Sequence, residues 1–109
     1  MIWTKIYGPV SAGTDVTLPF DLGNLTNYSY QAVFSGADVV GTFKLQDCND
    51  NATWLDISGK STSVTGSAST KLGETVANAR YVRANWDYTS GTGNITVYFQ
   101  AKQINLENN

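Results

Sequence analysis

The 109-residue chain has no histidine, one cysteine (Cys48), two prolines, and only seven basic and nine acidic side chains. Each shortage excludes something. Without histidine, the usual general base and the commonest metal ligand are both missing. A lone cysteine rules out an internal disulfide, a CxxC redox motif and a thiolate zinc site. A net charge of −2 gives no electrostatic footprint for nucleic acid or an anionic membrane, so neither is an expected partner. No apolar run is long enough to cross a bilayer, and no signal-peptide-like segment precedes the first strand-like residues, so synthesis in a cytoplasm is the expectation.

What the chain has in abundance is small and polar: 13 Thr, 10 Gly, 10 Asn and 9 Ser. Exposed helix faces are normally built from Lys, Glu, Ala and Leu, which lose little rotamer freedom in a helix. With five Lys and two Glu, a helical bundle is excluded. The 41 % hydrophobic content, 13 aromatics among it, supplies enough apolar surface to offset chain entropy and excludes disorder. The length suits one domain, placed at residues 1–104 with a polar tail over 105–109.

Period-two alternation, broken by Gly, Asn, Asp and Ser at intervals of about 8–12 residues, predicts short antiparallel strands. Residues 2–7 read as a first strand stopped by Gly8-Pro9, and 16–20 as a second whose Pro19 marks an edge or a strand end. Over 28–34, Tyr28, Tyr30, Ala32 and Phe34 share the inner face. Val39, Gly41, Phe43 and Leu45 do so over 39–46. A turn at 47–51 and a return strand at 53–57 make 39–57 a hairpin. The Ser/Thr-rich stretch 60–75 predicts one or two outer strands, and 74–80 one helical turn. Strand 79–88 buries Val82, Ala84 and Trp86 and turns Tyr81, Arg83, Asn85 and Asp87 outward. A hairpin loop at 89–93 then leads to strand 94–103, with Ile95, Val97, Phe99 and Ala101 inside and Tyr98 outside. The fold expected is an all-β antiparallel sandwich of about eight strands in jelly-roll or immunoglobulin-like topology.

Chemistry is scarce in this pattern. Ser and Thr abound, but nucleophilic catalysis needs an adjacent base, and only a Ser–Lys pair such as Lys60-Ser61, or Lys71 among hydroxyls, is available. Asp47, Asp50 and Asp56 read as turn and strand-end residues rather than a glycosidase pair. Residues 47–51 also lack the glycine and the distant bidentate Glu of a helix-flanked calcium loop, so a hydrogen-bonded turn is the expectation. No basic residue stands near Cys48 in sequence to activate it. Four Asn-x-Ser/Thr sequons follow from composition. The expectation is a protein without catalytic, cofactor or metal residues. Outward-phased Tyr81, Arg83 and Tyr98 are its candidate partner contacts, since aromatics on an outer sheet face mark subunit contacts. A carbohydrate-binding platform using Trp54 or Tyr81 is the alternative.

Motifs in the second half of the chain carry a resemblance. The run Gly41-Thr42-Phe43-Lys44-Leu45-Gln46-Asp47-Cys48-Asn49-Asp50-Asn51-Ala52-Thr53-Trp54-Leu55-Asp56-Ile57 is followed, in order, by Ala79-Arg80-Tyr81-Val82-Arg83, Ser90-Gly91-Thr92-Gly93 and Val97-Tyr98-Phe99-Gln100-Ala101-Lys102. This series resembles small virion-associated proteins of tailed bacteriophages, with Cys48 standing where a Ser is more usual. The resemblance implies a structural, non-enzymatic component of a phage particle, such as a capsid decoration, cement or minor capsid protein, with a module of a fibre or spike as the alternative. It also implies docking on other virion proteins, a major capsid protein or a fibre or spike component, and assembly as a homo-oligomer, a trimer included.

Overall fold

The structure, a computed structural model, describes residues 2–36 and 38–103; the expected tail at 105–109 lies outside them. Its strands are β1 (Ile2–Ser11), β2 (Val16–Asp21), β3 (Asn27–Ser35), β4 (Val40–Cys48), β5 (Leu55–Thr65), β6 (Ala68–Glu74), β7 (Tyr81–Ser90) and β8 (Asn94–Lys102). They form two four-stranded antiparallel sheets with orders β1-β8-β3-β6 and β2-β7-β4-β5. The first strand pairs with the last, the second with the seventh, the third with the sixth and the fourth with the fifth. This is a hairpin rolled into two sheets, the jelly roll. The immunoglobulin alternative is excluded, because it would place β1 and β2 side by side in one sheet.

The inner faces are the ones that alternation picks out. Tyr28, Tyr30, Ala32 and Phe34 from β3, Phe43 and Leu45 from β4, Val82, Ala84 and Trp86 from β7, and Ile95, Val97, Phe99 and Ala101 from β8 are all buried, joined by Val39 just before β4. Trp86 is 1 % exposed. Its ring lies 4.5 Å from that of Phe34, and its Nε1–H donates to the Ala12 carbonyl at 2.9 Å, so the one polar atom of the indole is satisfied in the core. Removing about 200 Å² of such a ring from water is worth up to about 5 kcal/mol. A second aromatic row links Trp3, Phe20, Phe99 and Tyr30 along the β1/β2 side of the sandwich.

Several expected boundaries are corrected. Gly8-Pro9 does not stop β1; the strand continues through a bulge, with its register shifted between Tyr7 and Val10. Residues 58–59 do not break β5 either. The strand passes through them, with the register against β4 shifting between Lys44 and Gln46 and with Gly59 at φ +78°, while Thr53 and Trp54 stay outside the strand. Residues 75–80 contain bends and no helical turn. The loop after β7 is not a hairpin, because β7 and β8 belong to opposite sheets. Pro19 does sit on an edge strand, β2, one of whose backbone edges has no ladder to serve.

Candidate interaction surface

The outer face of the β2-β7-β4-β5 sheet carries Arg83, Asn85 and Asp87 from β7, Lys44 and Gln46 from β4 and Asp56 from β5, neighbours through the ladder. They form one connected network. Arg83 Nε and Asn85 Nδ2 both donate to Gln46 Oε1 at 2.7 Å, and Gln46 Nε2 donates to Asp56 Oδ1 at 2.7 Å. Lys44 Nζ lies 3.3 Å from both Asp56 and Asp87. The Gln46 amide and then Lys44 lower the Asp56 carboxyl below its ordinary value. Partial burial works against the Lys44 ammonium, but the Asp56 and Asp87 carboxylates outweigh it and raise its pKa. Asn85, expected outside, is buried, and its Oδ1 has no hydrogen-bond partner. The side chains on this face therefore bind mainly one another.

At the end of this face the β4–β5 loop folds back over β7. Asp50 Oδ1 accepts the amides of Ala52 and Thr53 at 3.0 and 2.9 Å, the expected turn, and these bonds pull its pKa down to about 2. Asn51 takes a positive φ of 57°, which Asn tolerates. The loop delivers Trp54, whose ring stacks under the Arg83 guanidinium at 4.6 Å, while Arg80 lies 5.1 Å from the Tyr81 ring centroid. One face of each aromatic is thus covered by a cation. Trp54 and Tyr81 still share a cleft of about 360 Å³ with Pro19, Phe20, Asp21 and Asn51. Asp21, which lines the cleft, is held by a two-pronged pair with Arg80, with both bonds at 3.0 Å; this lowers the Asp21 pKa and raises that of Arg80. Cys48 is buried at the end of β4. Among the described residues, no three acidic, His or Cys side chains gather as metal ligands.

The opposite outer face, that of the β1-β8-β3-β6 sheet, is organised differently. One ladder row runs Ile6, Tyr98, Gln31, Lys71 across all four strands, and the next runs Thr4, Gln100, Ser29, Gly73. Ile6 is 65 % exposed and Tyr98 44 %, the largest apolar surface on this face. With Thr4, Ser29, Gln31, Gln100 and Lys71 they line a hollow of about 570 Å³.

Tyr81 and Arg83 therefore belong to one outer face and Tyr98 to the other, and no single patch contains all three. Arg83 is engaged by Gln46 and Trp54, whereas Tyr98 is open. Sequence reasoning missed Ile6, Gln31, Gln100 and Lys71 as its neighbours. Outward phase alone identifies Gln31 and Gln100, but only the strand order places Ile6 and Lys71 in the same row.

No protein-family model matches the sequence, and no curated protein matches it either. In fold, the chain is similar to the PBSX exported protein XepA, with TM-score 0.75 and 15 % identity over 98 % of this chain, which spans 39 % of the length of XepA. It is also similar to the SPBc2 prophage-derived protein YomS, with TM-score 0.58 and 13 % identity over 92 % of this chain and 95 % of that one. A third likeness is to the tobacco streak virus coat protein, with TM-score 0.56 and 12 % identity over 98 % and 88 % of the two chains. At these identities what is shared is the fold alone.

Proposed function

We propose that this chain is a non-enzymatic structural component of a bacteriophage virion, a decoration, cement or minor capsid protein made in the host cytoplasm and built into the particle. The observation that carries this reading is the jelly roll itself, superposable over nearly its whole length on a prophage-derived protein and a viral coat protein. The ordered motifs from Gly41 to Lys102 support it, as does the absence of histidine. Such a domain docks on a major capsid protein, or on a fibre or spike component, as a homo-oligomer. Particle symmetry then multiplies weak contacts into avidity. Mass spectrometry and a density map of purified particles test this: the chain is expected at a symmetric position, and particles that lack it overturn the reading.

A second reading is a carbohydrate-binding or host-attachment module. The cleft that brings Trp54 and Tyr81 together favours it. Glycan-array binding abolished by Trp54→Ala or Tyr81→Ala would select this reading over the first.

A further inference from the structure

We propose that the outer face of the β1-β8-β3-β6 sheet, centred on Tyr98, binds a linear anionic polysaccharide. The charge distribution points there first. The chain as a whole is net negative, yet none of the described carboxylates stands on this face. Glu74, the acidic residue of β6, is in the inward phase, where it accepts the Tyr28 hydroxyl at 2.7 Å. The charged side chains that do stand there are Lys71 on β6 and Lys102 on β8, and neither makes an ion pair among the described residues. On the opposite face, by contrast, Lys44 is held between two aspartates. Among the described residues, two lysines without an ion pair on an outer face without carboxylates complement an anion.

The remaining side chains narrow the class of anion. Ile6 and Tyr98 are cross-strand neighbours and both exposed, so an aromatic ring with an aliphatic flank lies open on the sheet. Such a ring offers an apolar surface to the C–H face of a sugar and a hydroxyl to its rim. Beside it, Gln31 and Gln100 present amides, and Thr4 and Ser29 hydroxyls, groups that both donate and accept. A polyhydroxylated chain satisfies both halves of such groups, whereas the desolvated core of a protein interface is depleted in Lys and Ser. The row from Ile6 to Lys71 spans four strands, about 15 Å, so the ligand is an extended chain with an acidic group near Lys71. This site is separate from the Trp54–Tyr81 cleft and does not depend on where in a particle the protein sits.

The test is calorimetric titration of the intact protein with two anionic polysaccharides, polygalacturonate and hyaluronate, with dextran as the neutral polymer. Binding of at least one anionic polymer is expected, weakening as salt rises and at least tenfold weaker in Tyr98→Ala and in Lys71→Glu. Lys71→Gln serves as the milder variant, and unchanged thermal melting shows that each variant is folded. Ser63→Ala, on the opposite face, retains full affinity. The proposal is overturned if neither anionic polymer binds, if dextran binds equally well, or if the Tyr98 and Lys71 variants keep wild-type affinity. Loss of binding in Trp54→Ala but not in Tyr98→Ala would also overturn it, placing the site in the cleft instead. So would equally tight binding to phosphatidylglycerol vesicles that is lost in the same variants, which assigns the face to lipid.

Discussion

Gly41 lies directly beneath the indole of Trp86: a Cβ at this position would stand 2.4 Å from Cη2 and 2.4 Å from the Asp87 carbonyl oxygen. The ring cannot retreat, because Phe34 packs against it and the Ala12 carbonyl holds its Nε1. The Asp87 carbonyl belongs to β7, which is paired along β4. Gly41→Ala is therefore an overpacking change, expected to cost about 1–3 kcal/mol or more. Chemical denaturation measures it, and an unchanged midpoint would refute the account.

Gln46 is the hub of the outer network, serving Arg83, Asn85 and Asp56 at once. Gln46→Ala leaves three polar groups without their partner and is expected to destabilise by about 2–3 kcal/mol. Asn85→Ala removes one bond and also an acceptor that has no donor, so its cost is smaller. Because the two share a bond, the double variant loses less than the sum of the single ones.

The acid response follows from the turn carboxylate. Asp50 is held at about 2 by the Thr53 and Ala52 amides, well below its unfolded value near 4. A depressed carboxyl contributes stability that is present above the unfolded value and lost as pH falls through the folded one. Asp56 and Asp21, lowered by Gln46 and Arg80 respectively, act in the same sense. Asp47, raised by burial, acts in the opposite sense, and its gain is complete by about pH 4, above the range of this loss. Thermal melting is expected to fall from about pH 4 toward pH 2. Asp50→Asn keeps an oxygen for the turn but removes the charge, so it flattens this fall; an identical pH profile would refute the assignment.

Edge strands β1 and β2 are both guarded against pairing with other chains. Lys5 is in the inward phase of β1, opposite Phe99, and lines an apolar groove with Leu18, Phe20 and Tyr30. Pro19 interrupts the donors of β2. Both are devices that discourage edge-to-edge association. The double variant Lys5→Val, Pro19→Val is expected to shift toward oligomers in light scattering after gel filtration, while the parent chain does not associate through this edge.

Inner faces were legible in the sequence because burial on one face imposes period two, and the alternation around Tyr30, Phe43, Val82 and Val97 carries that signal without ambiguity. Strand ends were less legible. Gly8-Pro9 and Ser58-Gly59 look like stops, yet a bulge absorbs each while the ladder continues. The loop around Gly91 shows a turn but not which sheet the next strand joins, so hairpin and crossover read alike. Asn85 and Gln46 have the phase of solvent-facing residues, and only the loop that carries Trp54 back over Arg83, together with the bonds among the amides, encloses them. Tyr81 and Tyr98 share an outward phase, but phase cannot distinguish one outer face from the other.

The rolled-hairpin order also biases the sequence of events in time. Of its pairings, β4 with β5 is the one between consecutive strands, and the loops closed by β3 with β6, β2 with β7 and β1 with β8 grow progressively longer. Each later closure costs more chain entropy than the one before, and the contacts that repay it form only afterwards. Loop entropy alone therefore favours an order that starts at the hairpin around Asp50 and finishes where β1 meets β8, on the millisecond-to-second scale typical of such non-local β folds. In that order, the ladder row holding Ile6 and Tyr98 is among the last parts of the molecule to exist.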